Sequence, residues 1–210
     1  MTGFDDDFRA DLDRLMRWRR DVRRFRIDPL PEGLLDRLMA AAASAPSVGL
    51  SEPWRFVSVE SDAARAAVLR NFETENAAAL ADYAGEDAAR YAGLKLAGLR
   101  EAPMHLAAFC DEASAQGRGL GARTMPEMRR YSVVCAVMQL WLAARAEGVG
   151  VGWVSILDPE AARAALGAPE GWRLVAYLCI GWPEEEHADA ELDRLGWERR
   201  RGAAKEVRRA

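Results

Sequence analysis

One stretch decides what this chain can fold into. From Tyr131 to Leu157 it is almost wholly apolar, interrupted by Gln139, Arg145 and Glu147 and broken at Gly148. Those polar residues disqualify it as a membrane span, which needs about 20 mostly apolar residues in a row. It reads instead as a long helix, Glu127 to Glu147, that stops at a glycine and leads into a strand, Val149 to Ile156. A helix as apolar as 131–144 is buried, either in the core or in a contact between subunits. The chain has 210 residues, half of them hydrophobic and 30% charged, enough for one globular domain with a real core.

The flanking segments alternate in period. Asp5 to Trp18 puts Phe8, Leu12, Leu15 and Met16 on one helical face, with aspartates at the positive end. A second helix is predicted from Pro31 to about Ala43. Trp54 to Val59 and Met104 to Cys110 read as strands, and Trp172 to Trp182 as a buried strand. Between the first two, a weakly patterned helical region runs from Ser61 or Asp62 to about Leu99, with a break near Gly85. Residues 111–126 read as loop. A short helix starts at Asp158-Pro159-Glu160, and a polar tail begins at Pro183. Four strands among helices make one α+β or α/β domain over 1–210.

Composition excludes several functions. A net charge of −4 argues against a general nucleic-acid binder. No basic, apolar leader opens the chain, so cytoplasmic residence is expected, with no membrane partner. Cys110, Cys135 and Cys179 lie apart in apolar runs, and His105 and His187 have no ligand-spaced partner. Free thiols and no metal site are expected.

Three local patterns carry chemistry. Arg19, Arg20, Arg23 and Arg24 crowd the end of the first helix around Asp21. They form either a solvated basic turn or an anion site, since guanidinium forks match phosphate oxygens. Asp21 either pairs with a neighbouring arginine or is held there to manage a proton. Ala45-Pro46-Ser47-Val48-Gly49-Leu50-Ser51-Glu52-Pro53-Trp54 is a rigid polar turn into a strand. The glycines of Gly148-Val149-Gly150-Val151-Gly152 follow a helix and precede a strand. That is the reverse of a dinucleotide-binding loop, so they serve close packing. Ser155 then falls at a strand end, where open sheets place ligands.

Taken in order, the arginine turn, the Ala-Pro-Ser loop ending in Pro-Trp and the run from Leu140 to Ile156 resemble the FMN-dependent nitroreductase family over roughly residues 10–200. The closest likeness is to its flavin-cleaving branch, carried by Arg19-Arg20-Asp21-Val22-Arg23, Ala45-Pro46-Ser47-Val48-Gly49, Tyr131-Ser132 and Val134-Cys135-Ala136-Val137. Ordinary members usually carry Ser in place of Asp21, Asn and Gln in place of Leu50 and Glu52, and a Glu-Gly pair near Val154-Ser155.

The resemblance implies an α+β fold with a central mixed sheet flanked by helices and FMN at a homodimer interface. It implies oxygen-dependent cleavage of reduced FMN, through a flavin peroxide, to 5,6-dimethylbenzimidazole and erythrose 4-phosphate. Reduced FMN and O2 are then substrates, no metal is needed, and a separate flavin reductase is a partner. Arg19, Arg20, Arg23, Ser47, Glu52, Ser155 and Arg200 are the implied flavin contacts, with Asp21 and Ser155 catalytic. The region 71–99 would form a lid that excludes water and a second substrate such as NADPH. The other activity open to the family is an NAD(P)H-dependent nitroreductase or flavin reductase, disfavoured by Asp21, Leu50 and Ser155.

Overall fold

The computed structural model describes residues 3–94 and 97–201. The expected lid (71–99) and tail (183–210) therefore lie partly outside the described residues.

The chain runs α1 (Asp6–Trp18), α2 (Leu34–Ala43), β1 (Trp54–Ser58), α3 (Asp62–Ala81), α4 (Gly85–Gly93), α5 (Gly98–Glu101), β2 (Met104–Asp111), α6 (Met128–Ala146), β3 (Gly150–Val154), α7 (Pro159–Ala165), β4 (Trp172–Gly181) and α8 (Glu191–Arg194). Helix α2 begins three residues after Pro31, because Gly33 takes a left-handed conformation (φ 70°) that keeps Pro31 and Glu32 outside it. Loop 111–126 holds a short 3-10 turn at Gln116–Gly119. The tail contains α8 and is otherwise irregular.

The sheet order is β1-β2-β4-β3, and every adjacent pair is antiparallel. Its one parallel contact is a bridge from Asp21 to Val151 on the outer edge of β3. Alternate residues along the strands face two cores. One joins Leu106, Ala108, Val151, Leu178 and Ile180 to α2 and α6. The other joins Ala107, Phe109, Tyr177 and Cys179 to Val68 of α3 and Leu99 of α5. This is a sheet with helices on both faces.

Helix α6 answers the alternatives left by its composition. Val133, Ala136, Val137, Leu140 and Ala144 are fully buried against the sheet. Tyr131, Val134 and Met138 stand exposed on another face (53%, 38% and 39%). An apolar surface of that kind marks an interaction face. Cys110 and Cys179 are buried and Cys135 half-buried on α6, all as free thiols. No helix of the described residues is long and apolar enough to cross a membrane.

The segment after α1 is stitched to the sheet edge. The Val22 N–H donates to the Val151 carbonyl (3.0 Å), and the Trp153 N–H donates to Asp21 Oδ1 (2.9 Å). Gly152 lies between these bonds, and a Cβ there would come within 2.1 Å of the Val22 carbonyl oxygen. Gly152→Ala is therefore expected to lower stability by about 1–3 kcal/mol in denaturant unfolding, through overpacking. Gly93→Ala, where a Cβ meets nothing within 4 Å, should be neutral in the same assay.

Candidate functional site

Helix α1 ends where its backbone turns extended at Arg19, whose N–H still caps the Leu15 carbonyl (3.0 Å). Extension carries residues 20–23 along the edge of β3, so side chains adjacent in sequence point to different sides. The guanidinium of Arg19 stacks over Trp141 of α6, 4.8 Å from the ring centroid, and the Trp141 indole N–H donates to the Arg20 carbonyl (3.3 Å). Arg20 donates from Nε to the Ala188 carbonyl (2.8 Å), which draws the tail segment over the turn.

A cavity of about 130 Å³ opens there, lined by Arg19, Arg20, Asp21, Arg23, Glu191 and Arg200 among others. Its charges are not balanced. Among the described residues Arg19, Arg20 and Arg200 have no carboxylate within ion-pair distance. Burial holds the Arg19 and Arg20 guanidiniums below the usual arginine range, and the nearby Arg200 charge pushes the same way. Repulsion among three cations would be relieved by an anion, and a phosphate supplies up to two charges and three acceptors.

Arg23 is different. Its side chain is 12% exposed, and its Nε lies 3.5 Å from Asp21 Oδ2 and 4.0 Å from Glu191 Oε2. It serves two carboxylates before it serves any ligand. The Asp21 carboxyl is pushed up from the usual carboxylate range. Burial is the main cause, opposed by the Trp153 N–H and by Arg23 and assisted by the Glu191 charge. An acid placed between neutral and charged forms can hold or release a proton.

Ser47 and Glu52 are elsewhere. Ser47 Oγ accepts the Glu52 N–H (3.1 Å), and Ser132 Oγ of α6 accepts the Val48 N–H (3.1 Å). The loop holds strain: Leu50 and Glu52 have positive φ of 54° and 40°. Gln116 braces it by donating to the Leu50 carbonyl (2.8 Å) and to Glu52 Oε2 (3.3 Å). At Gly49, left-handed at φ 59°, a Cβ would meet the Leu120 carbonyl oxygen at 2.9 Å. The two loops are thus packed backbone to backbone. Leu50 and Leu120 project from the pair, 74% and 73% exposed.

This loop feeds β1 at one edge of the sheet, whereas the arginine turn flanks β3 at the other. At ~4.8 Å per strand the two edge strands are about 14 Å apart. No hydrogen bond or ion pair among the described residues joins the two groups. The sequence-predicted residues therefore form two clusters within one chain: Arg19, Arg20, Asp21, Arg23 and Arg200 in one, Ser47 and Glu52 in the other. Ser155 is exposed just beyond β3, between the strand and α7.

The region 71–99 is divided. Helix α3 is anchored by Val68 in the core and by a reciprocal pair in which Asn71 donates to the Asp158 carbonyl and accepts the Asp158 N–H, both at 2.9 Å. That fixes α3 three residues past Ser155. Its far end and α4 meet the tail: Tyr83 and Tyr91 stack at 4.8 Å, and Trp197 lies edge-on to Tyr83 at 5.5 Å.

Glu191, Trp141, Trp153, Gln116 and Trp197 escape sequence reasoning as site residues. Glu191 sits in a tail of mixed charges, where no spacing distinguishes one acid from another. Trp141 and Trp153 lie inside the apolar run and read simply as core. No group of three His, Cys, Asp or Glu among the described residues is placed to hold a metal ion.

Residues 16–182, which hold both the arginine-rich turn and the strained Pro-Ser loop, match the family described as "Nitroreductase family". The chain belongs to that family. It is 60% identical to a 5,6-dimethylbenzimidazole synthase of Rhodospirillum rubrum over 198 residues, 94% of each chain. It is 49% identical to a 5,6-dimethylbenzimidazole synthase of Rhodobacter capsulatus, over 93% of this chain and 95% of that one. In fold it is similar to a crystal structure of oxidised iodotyrosine deiodinase bound to FMN and 3-iodo-L-tyrosine, at a TM-score of 0.72 and 23% identity, covering 94% of this chain and 97% of that one.

The raised Asp21 pKa has a consequence for stability. A carboxyl whose folded pKa lies above its unfolded one stabilises the fold when protonated, and that contribution is lost as pH rises through the folded value. Asp21→Asn keeps an acceptor for the Trp153 N–H and removes a half-buried charge. The variant should melt above the parent at neutral pH, and the gap should narrow as pH falls toward ~4. His105, held neutral by burial with its pKa lowered to about 4, loses stability on acidification in both proteins and cancels from the comparison.

Proposed function

We propose that this chain is a 5,6-dimethylbenzimidazole synthase, taking reduced FMN and O2 and releasing 5,6-dimethylbenzimidazole, the lower ligand of cobalamin, and erythrose 4-phosphate. The observation that carries this reading is Asp21. It is a carboxylate held by a backbone N–H of β3 (2.9 Å), beside arginines whose charge awaits an anion. The 60% identity to a synthase of the same name supports it.

The residues present fit FMN. Arg19, Arg20 and Arg200 supply the positive charge that a flavin phosphate needs, and Arg23 extends it toward the reduced ring. Reduced FMN, when bound, supplies the electrons that activate O2 and the ring carbons of the product. Asp21 moves or stabilises protons at the reacting flavin. Ser155, exposed at the strand end, orients the ring by hydrogen bonding. Ser47 and Glu52 contact the flavin from a second copy of the chain, because one copy keeps them at the opposite edge of its sheet. The apolar face of α6 with Leu50 and Leu120 is the surface that joins the copies. Helices α3 and α4, latched to Trp197, form the lid that excludes water. A separate reductase supplies the reduced flavin, since a closed lid leaves no place for a nicotinamide donor.

The test is to mix protein and chemically reduced FMN without oxygen, admit air, and separate the products. A benzimidazole that requires both protein and O2 is expected, and Asp21→Asn should abolish it. Return of intact oxidised FMN alone would overturn the reading in favour of a nitroreductase, assayed with NADPH and a nitroaromatic. Arg200→Ala is expected to raise the KM for reduced FMN by about 10- to 100-fold, the loss of a charge-assisted hydrogen bond to phosphate, with a smaller change in kcat.

A further inference from the structure

We propose that Glu191 is a positioning residue for Asp21, acting through the Arg23 guanidinium that the two carboxylates share. The inference rests on the acid–base reading of Asp21. Arg23 is nearly buried, and its Nε faces both acids, at 3.5 Å from Asp21 and 4.0 Å from Glu191. One positive charge therefore answers two negative ones. The arrangement is fixed from both sides. On one, Asp21 is pinned by the Trp153 N–H. On the other, the segment bearing Glu191 is tied to the arginine turn by Arg20 on the Ala188 carbonyl and by the Glu184 N–H on the Arg24 carbonyl (3.2 Å). Arg145 pairs with Glu186 (2.7 Å) in the same segment.

The charged and titratable groups facing Asp21 are Arg19 and Arg23 from its own turn, Glu191 from α8 and Cys179 from β4. Cys179 stays a neutral thiol, pushed up to about 12 by burial. Arg19 is stacked on Trp141 and faces Arg200 and the expected phosphate. That leaves the division of Arg23 to decide how firmly Asp21 is held as a carboxylate. With Glu191 in place the ion pair is shared and a like charge stands nearby, and both disfavour the charged form of Asp21. Without Glu191, Arg23 belongs to Asp21 alone. Asp21 would then be a fixed counter-ion and a poor proton carrier near neutral pH.

The flavin-free full-length protein, labelled with 13C at its aspartate carboxyls, allows Asp21 to be titrated by NMR, its signal assigned by loss in Asp21→Asn. Glu191→Gln is expected to move the Asp21 midpoint to lower pH by about half a unit or more, for a charge at this range in a partly wet site. Glu191→Asp, which keeps the charge, is expected to restore most of the shift. The acid limb of the rate of benzimidazole formation should move in the same direction. An unmoved midpoint in Glu191→Gln, or equal shifts in Glu191→Gln and Glu191→Asp, would overturn the proposal. Glu191→Ala repeats the measurement should the amide variant fold poorly. If Asp21→Asn still forms product, the acid–base reading falls instead, whatever the titration shows.

Discussion

A carboxylate oxygen of Asp21 accepts the Trp153 N–H at 2.9 Å, and one residue along, the Val22 N–H reaches the Val151 carbonyl at 3.0 Å. These bonds do for β3 what a fifth strand would do. They cover an edge whose backbone groups would otherwise face water or another chain. They also set the position of everything charged in the site, because Arg19, Arg20 and Arg23 are within two residues of the pinned carboxylate. Gly152 admits the approach, and Trp141 receives Arg19 from the face of α6. The arginine turn is thus held by the sheet and by the core helix together, the rigid support that a precise site requires.

The same arrangement works against the fold's own stability. Three arginines with no carboxylate partner among the described residues face one cavity, and a half-buried acid sits beside them with its proton affinity raised. Each would be easier to bury if paired. Arg23 shows how easily pairing occurs here, since it already has two acids. Acidic residues are plentiful in the tail, yet none among the described residues pairs with Arg19, Arg20 or Arg200. Charge left unneutralised in a cavity lowers the stability of the fold and makes the cavity attractive to an anion.

How much of this is legible in the sequence depends on whether the signal is local. The long helix, the four strands and the arginine turn are each written in contiguous periodicity or composition, and each is where the sequence places it. Family resemblance picks out Asp21 because ordinary members of the family usually carry Ser there. Glu191 is 170 positions away from Asp21, on a four-residue helix in a mixed-charge tail, and long-range ties from Arg20, Arg24 and Arg145 bring it in. Trp141 and Trp153 look like core because they are partly core. The role of Trp141 depends on which face of α6 meets the turn, which so apolar a helix does not say, and that of Trp153 on a backbone N–H at the edge of β3. The start of α2 is displaced for a similar reason: Pro31 signals a helix, but left-handed Gly33 overrides it.

The separation of the two clusters follows from the topology and carries the last step. Ser47 and Glu52 precede β1, Asp21 flanks β3, and β2 and β4 lie between. No rearrangement of side chains closes that distance within one chain. Yet the strained loop, braced by Gln116 and interlocked with Gly117 and Gly121, is far too constrained to be an idle connection. The exposed apolar residues lie on the same side of the puzzle: Leu50 and Leu120 crown the loop, and Tyr131, Val134 and Met138 continue along the outer face of α6. In the dimer proposed above, a two-fold arrangement burying this surface would have to bring the loop of each copy toward the arginine turn of the other. Under the proposed chemistry, dimerisation is then a condition for assembling the flavin site, and the apolar run that dominates the sequence serves both the core and the site.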